Sequence, residues 1–224
     1  LDPDLRAARQ MHPMTVIWDN HDVEDDSVGQ KEAAIQSFWE FLPCRMPDSL
    51  NPEQVYRTLH YGDLVDVFMT DGHTYRGKDT MPNGAPSYLG ETQNTWLEAA
   101  LAASTSKWKL IGNQKMFGQW STAGIPGLPI GNGQVADPSS WDGFPESRNR
   151  LLDYLVNNQM ENFIFLSGDL HLSIADDVCK DPFNGAYDPN TGSGSVAVEF
   201  LPTSISRGNF DEYGIPGFLI PGIK

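Results

Sequence analysis

The chain has 224 residues, which is enough for one domain with a sizeable hydrophobic core, and no shift in composition marks a second domain. Its formal net charge of -15, with only 15 basic residues, argues against a nucleic-acid-binding surface, because contacts to phosphate backbones need clustered lysine and arginine. No run approaches the roughly 18 apolar residues of a membrane-spanning helix, so the sequence predicts no membrane span.

Taken in chain order, the apolar pattern predicts an α/β arrangement. Strands are predicted at residues 14–18, 64–70, 107–112, 163–168 and 195–201, and helices at residues 31–42, 52–60, 91–103 and 145–158. Two stretches rich in glycine and proline, 78–90 and 121–140, are too long for simple connectors. Loops of that length are typical of functional lids or rims.

Three of the predicted strands end directly before an acidic residue, namely Asp19, Asp71 and Asp169. In open α/β sheets, ligands bind beyond the carboxyl ends of the strands, so residues that are distant in sequence converge there. Two of these acids are followed two positions later by a histidine, His21 and His171. A carboxylate and an imidazole at one strand tip are suited to cation binding and proton transfer.

The segment 19–26 contains five carboxylates in eight positions. These acids could simply face water in a turn, but they repel one another unless positive charge lies among them, which favours a metal site. The acidic charge of the whole chain has the same two interpretations, a solvated surface or partial neutralisation by cations. Asp71 precedes Arg76 by five positions, and for this acid a structural ion pair and a functional role are equal alternatives.

Other features limit the possible function classes. Cys44 and Cys179 have no metal-type spacing, and two free thiols or one disulfide are both compatible with the sequence. His12 and His60 lie away from the predicted strand tips and are expected to be structural. The absence of a Gly-x-Ser-x-Gly elbow, a phosphate-binding loop and a Cys-x-x-Cys motif argues against a serine hydrolase, a nucleoside-triphosphate enzyme or a zinc ribbon.

A series of motifs occurs in a fixed order across nearly the whole chain. The motifs lie at residues 18–26, 42–45, 56–64, 70–76, 89–97, 108–114, 141–148, 167–171 and 198–206. They include Ser-Gly-Asp-x-His at 167–171 and Val-Glu-Phe-x-x-x-Ser-Ile-Ser at 198–206. Each motif alone is weak, but the ordered set is specific. In these motifs the chain resembles the PhoD-type alkaline phosphatase and phosphodiesterase family of the metallophosphatase superfamily.

The resemblance implies a metallophosphatase-like α/β sandwich of two mixed β-sheets flanked by helices, of which this single domain lacks the N-terminal part and the last strands. It implies metal-dependent hydrolysis of phosphate mono- or diesters by an activated water or hydroxide. By position, Asp19, Asp26 and Asp169 match metal ligands, while His21 and His171 match site histidines. The implied cofactors are iron and calcium, with zinc, manganese or magnesium as alternatives.

The chain also departs from the family pattern. His73 stands where the family places an arginine, in the slot expected to clamp the substrate phosphate, and a histidine there lacks the bidentate guanidinium fork. Asn20 and Asp22 replace an aspartate and a glutamate. Family members carry a metal-binding cysteine and a Gly-Asp-x-x-Tyr loop before the point where this chain begins. We therefore expect processing or truncation upstream. Either a second polypeptide or a further segment of the same protein carries the missing N-terminal part, or the site is partial.

Two functions follow from these expectations. The first is an exported phosphohydrolase, extracellular or periplasmic by family resemblance, that acts on a phosphate ester. The alternative is a catalytically silent homologue that serves as a structural or cation-binding subunit of an assembly. Retention of Asp19, Asp26 and Asp169 favours the enzyme, whereas His73 and the missing N-terminal ligands favour the alternative.

Overall fold

One mixed β-sheet with helices packed against it forms the centre of the protein. The computed structural model describes residues 3–23, 30–119, 137–183, 185–204 and 208. The helices are α1 (Pro3–Met11), α2 (Gln30–Phe41), α3 (Glu91–Ala103) and α4 (Pro145–Asn157), and a short 3-10 turn at Trp141–Gly143 precedes α4. The strands are β1 (Arg57–Tyr61), β2 (Val65–Met69), β3 (Trp108–Gly112), β4 (Phe163–Leu166), β5 (Ile174–Cys179) and β6 (Ser195–Leu201). Within these ranges, no helix is long and apolar enough to cross a membrane.

The order of the strands brings four chain segments to one edge of the sheet. The sheet runs β1-β2-β3-β4-β6-β5. The four inner strands β2, β3, β4 and β6 are parallel to one another, whereas β1 and β5 are antiparallel to their neighbours. Because parallel strands end at the same edge, the segments that follow Met69, Gly112, Leu166 and Leu201 emerge side by side.

One face of the sheet carries the main hydrophobic core. Phe68, Ile111 and Phe165 lie in register across β2, β3 and β4 and are almost fully buried. Helices α3 and α4 supply the buried leucines Leu97, Leu101, Leu151, Leu152 and Leu155 to the same core. Full burial of one such side chain contributes about 1.5–3 kcal/mol, so tertiary packing fixes the helices that the sequence periodicity predicts.

The opposite face of the sheet is apolar and only partly covered by the described part of the chain. Val67, Leu110 and Ile164 lie in register and are half-buried, while the side chains of Leu166 and Phe200 are 39% and 46% exposed. An apolar sheet face normally packs against another layer. The predicted α/β class is confirmed. The described residues form one six-stranded sheet, and the second sheet of the expected sandwich stays a prediction.

Seven predicted elements are confirmed within one or two residues. They are the helices at 31–42, 91–103 and 145–158 and the strands at 64–70, 107–112, 163–168 and 195–201. The stretch 78–90 is irregular apart from an isolated bridge between Thr80 and Pro86. Most of the stretch 121–140 lies outside the described residues. Cys44 and Cys179 are both free thiols, so the disulfide alternative is excluded.

Two predicted elements are wrong. Residues 14–18 form no strand, because the carbonyls of Val16 and Trp18 accept hydrogen bonds from the side chains of Arg57 and Gln114. Residues 52–60 form no helix, because the chain turns after Asn51 and its later part pairs along β2 as strand β1. Pairing with a neighbouring strand outweighs weak local helix propensity there. Helix α1 and strand β5 are additional elements that the sequence pattern did not predict.

A pair of carboxylates lies side by side on β5 and β6. Asp176 is in register with Glu199, and both side-chain oxygens of Asp176 are buried without a hydrogen-bond partner. Burial, followed by the charge of Glu199, raises the pKa of Asp176 from 3.8 to about 7, and burial also raises the pKa of Glu199. Between about pH 3.8 and pH 7, the folded state therefore binds more protons than the unfolded state. Above about pH 7, the ionised carboxylate of Asp176 destabilises the folded state.

Replacing this acid with an amide should stabilise the protein in alkaline solution. We expect Asp176→Asn to raise the free energy of unfolding by about 1–3 kcal/mol at about pH 8, and the gain to shrink by half or more at about pH 5, where the carboxyl is already protonated in the folded state. Urea unfolding at the two pH values measures the effect. Asp177→Asn on the same strand is the control. Equal unfolding energies for Asp176→Asn and the unchanged protein at both pH values would contradict the expectation.

Candidate functional site

The segments that follow the parallel strands line one cleft at the edge of the sheet. Its volume is about 440 Å³. The lining residues come from the segment 17–21, from the ends of β3 and β4, and from the segment after β6: Ile17, Asp19, Asn20, His21, Asn113, Gln114, Ser167, Gly168, Asp169, His171, Pro202, Thr203 and Ser204. The convergence of Asp19 and Asp169 that the sequence predicted is therefore confirmed.

Asp71, at the end of β2, organises the turn beneath this cleft. It is fully buried, and its Oδ1 accepts hydrogen bonds from the backbone N–H groups of His73 and Thr74 at 3.0 and 2.8 Å. Arg76 instead donates to the carbonyls of Gly72 and Ser139. The ion pair between Asp71 and Arg76 that was one alternative is thus replaced by a turn in which the carboxylate caps backbone amides.

Gln114 connects three segments of the site. Its Oε1 accepts a hydrogen bond from the N–H of Gly72 at 2.7 Å. Its Nε2 donates to the carbonyl of Trp18 at 3.0 Å and to Asp71 Oδ1 at 3.2 Å. These partners belong to the segment before Asp19 and to the turn after β2, while Gln114 itself lies in the turn after β3. One buried amide therefore fixes the relative positions of the three segments.

Glu199 performs a similar task on the other side of the site. Its carboxylate accepts hydrogen bonds from the N–H groups of Phe117 and Gly118 at 2.8 and 2.7 Å, and from the hydroxyl of Ser167. The turn after β3 and the end of β4 are therefore tied to β6 by a fully buried side chain. This contact explains the Val-Glu-Phe motif as a positioning element for the strand tips.

A buried lysine lies between the two predicted metal ligands. Lys115 Nζ is 2.8 Å from Asp169 Oδ2 and 3.7 Å from Asp19 Oδ2, and the lysine side chain is 6% exposed. The pKa of Asp19 is raised chiefly by burial, while the charge of Lys115 opposes that shift. The sequence analysis missed Lys115, although it follows the strand tip of β3 as directly as Asp71 and Asp169 follow those of β2 and β4.

His73 is oriented toward Asp19 rather than toward the open cleft. Its Nε2 lies 2.6 Å from the carbonyl oxygen of Val23, and the ring is 7% exposed. A carbonyl oxygen can only accept, so Nε2 carries a hydrogen, and Nδ1 is the ring atom that lies toward Asp19. This Nδ1 is 4.0 Å from Asp19 Oδ1, and both atoms are buried without a hydrogen-bond partner. A buried carboxylate oxygen without a partner calls for a positive or hydrogen-bond-donating group beside it.

The other predicted site residues are placed as follows. His21 and His171 both line the cleft, and His171 Nδ1 lies 2.9 Å from the carbonyl oxygen of Gly208. Asp169 and His171 have positive φ angles of 71° and 55°, which are uncommon for residues other than glycine and are found at functional sites. Asp26 lies outside the described residues.

The donor atoms present fit a hard cation. Calcium, magnesium and ferric iron are bound through oxygen, and Asp19 Oδ1 is a buried carboxylate oxygen that lacks a partner. In the described ranges, however, no group of three or more His, Cys, Asp or Glu is arranged to hold an ion.

Comparison with known proteins identifies the family. A family model described as PhoD-like phosphatase matches residues 1–216. The chain belongs to the PhoD-like phosphatase family. Alkaline phosphatase D of Bacillus subtilis (strain 168) is 30% identical over 234 residues, a match that covers 92% of this chain and 38% of that protein. A solved structure of PhoD matches with a TM-score of 0.73 and 29% identity, over 92% of this chain and 42% of that chain.

This PhoD-like chain thus spans less than half the length of the relatives that it matches. The similarity to the solved PhoD structure confirms the α/β fold, with its mixed six-stranded sheet and flanking helices.

Proposed function

We propose that this chain forms part of a metal-dependent site that hydrolyses phosphate mono- or diesters. The observation that carries the proposal is the approach of Asp19 and Asp169, from two separate segments, to one buried ammonium at 3.7 and 2.8 Å. Two carboxylates held around positive charge beside an open cleft are suited to hard cations and, with them, to an anionic phosphate. Membership of the PhoD-like phosphatase family supports the same reaction.

The proposed metal ligands are Asp19, Asp26 and Asp169, and the proposed ions are iron and calcium, with zinc, manganese or magnesium as alternatives. When bound, such ions supply positive charge to the phosphoryl oxygens and make water a stronger nucleophile near neutral pH. The protein's own contribution is to hold the carboxylates in place. Gln114 does so for the segment before Asp19, and Glu199 does so for the strand tip before Asp169.

The three histidines receive different roles in this proposal. His21 and His171 line the cleft, where an imidazole can bind a phosphoryl oxygen or transfer a proton to the leaving group. His73 occupies the arginine position of the family, but it is buried against Asp19. We therefore assign it a positioning role for that carboxylate, in addition to the weaker phosphate contact expected from the sequence.

A partner and a location complete the proposal. A second polypeptide that supplies further ligands is proposed from the family resemblance. Export from the cytoplasm is supported by the family resemblance. Both belong to the proposal and neither is needed for the role of Asp19 and Asp169.

The proposed function predicts a hydrolase activity that depends on metal. The purified protein, together with any copurifying polypeptide, is assayed with 4-nitrophenyl phosphate and bis(4-nitrophenyl) phosphate. We expect release of 4-nitrophenol that is lost after treatment with EDTA and restored by calcium with ferric iron, because the ions balance the charge of the phosphate. Release that never exceeds a buffer blank with any of the five metals would contradict the proposal and favour the catalytically silent alternative.

A further inference from the structure

Lys115 is fixed in the protein interior and is not a mobile surface lysine. The carbonyl of Lys115 accepts a hydrogen bond from the side chain of Asn113. The backbone N–H groups of Phe117 and Gly118 donate to the carboxylate of Glu199. Trp141 in turn donates to the amide oxygen of Asn113 at 3.0 Å. The backbone at Lys115 is therefore anchored on both sides, and its side chain extends into the space between two acids.

Lys115 offsets part of the negative charge of the two acids. Asp19 and Asp169 come from different segments and would repel each other if they were brought together without a cation. A buried ammonium is costly unless it is paired, and Lys115 contacts a carboxylate oxygen of each acid at 2.8 and 3.7 Å. The two carboxylates thus stabilise the buried ammonium, and the ammonium reduces the repulsion between the carboxylates.

From this geometry we propose that the Lys115 ammonium takes the place of one metal ion between Asp19 and Asp169, so that the site binds one divalent cation fewer than the same carboxylates would bind alone. Calcium lies about 2.3–2.6 Å from its oxygen ligands, so a calcium ion on Asp169 Oδ2 would lie within a few ångströms of the fixed ammonium. Repulsion over that distance is poorly screened in a buried site.

The same arrangement defines where a metal ion still fits. The ammonium lies against Oδ2 of both Asp19 and Asp169, so Oδ1 of each acid is the oxygen left for a metal ion. Oδ1 of Asp19 has no hydrogen-bond partner and faces His73 Nδ1. The inference rests on the proposed function only in that the same two acids serve as metal ligands. It concerns the number of ions and their affinity, and does not require turnover.

Counting bound calcium tests the proposal. Lys115→Met keeps a long apolar stem and removes the charge, and Lys107→Met removes an exposed lysine just before β3 as the matched control. Metal-stripped proteins are dialysed against buffered calcium, and the bound calcium per chain is measured by plasma mass spectrometry. We expect one additional calcium ion per chain, or binding at least about tenfold tighter, in Lys115→Met only. Equal calcium content and affinity in all three proteins would overturn the proposal.

A second measurement covers the case in which metal-free Lys115→Met is less stable than the unchanged protein. In EDTA we expect Lys115→Met to unfold at a lower temperature than the unchanged protein, and the double variant Lys115→Met with Asp169→Asn to recover most of the loss, because the uncompensated charge is removed with its partner. A double variant less stable than Lys115→Met would contradict a charge-balancing role. Absence of hydrolysis in all of these proteins would refute the proposed function and leave the calcium counts to decide the role of Lys115.

Discussion

Replacing Asp169 with asparagine is expected to reduce the hydrolysis of bis(4-nitrophenyl) phosphate by about a thousandfold, since a metal ligand at a phosphoryl-transfer site accounts for several kcal/mol of transition-state stabilisation. The residue has a φ of 71°, a conformation that asparagine tolerates and alanine does not. The variant therefore removes charge without adding backbone strain. Initial rates at saturating metal measure the effect.

The matched control for this variant is Asp153→Asn. Asp153 lies on α4, is half exposed, and pairs with Lys180 on the surface at 2.5 Å. We expect it to retain the full rate and to lose less than about 1 kcal/mol of stability. Thermal unfolding of both variants shows whether the fold is intact. A well-folded Asp169→Asn protein that turns over at the unchanged rate would remove Asp169 from the site.

Replacing Arg148 with methionine is expected to lower the free energy of unfolding by about 3–5 kcal/mol. Arg148 is 1% exposed, and its guanidinium donates to the carbonyls of Phe117, Lys180 and Cys179 at 2.9, 3.3 and 2.7 Å. Methionine fills most of the volume but leaves these buried acceptors without a donor, at about 1–3 kcal/mol for each fully buried group. Urea unfolding at neutral pH measures the loss.

Arg150 on the same helix provides the control for Arg148. Its guanidinium pairs with Glu91 and Glu98 at 2.7 and 2.9 Å, and its side chain is 28% exposed. Because Glu91 and Glu98 remain hydrated after the change, we expect Arg150→Met to lower the free energy of unfolding by about 1 kcal/mol. Similar losses for the two variants would show that the three carbonyl contacts of Arg148 do not anchor the turn after β3.

The sequence predicted the fold best where local pattern and burial agree. The strands β2, β3, β4 and β6 and the helices α3 and α4 have apolar residues at the right period, and these residues form the main core. Strand β5 was missed because Asp176 and Asp177 interrupt its apolar pattern, and backbone pairing with β6 forms the strand despite them. The error at residues 14–18 has a similar cause, since distant side chains satisfy that backbone.

The sequence predicted the acidic residues of the candidate site, but it did not predict the contacts that position the residues around them. Asp19 and Asp169 were identified because they follow apolar runs, and both acids line the cleft. The end of the first run is held there by the hydrogen bond from Gln114 to the carbonyl of Trp18. The burial of His73 against Asp19 depends on a carbonyl fifty positions away, and the position of Lys115 depends on Glu199. Neither contact can be recognised from the residues that neighbour His73 or Lys115 in the sequence.

Elemental analysis of the purified protein, with intact-mass analysis of every copurifying polypeptide, tests the central claim most directly. The account predicts stoichiometric hard cations, with iron and calcium first among them, and a marked loss of bound metal in Asp169→Asn. A protein without bound metal, or with the same metal content in both forms, would contradict a metal site built on Asp19 and Asp169.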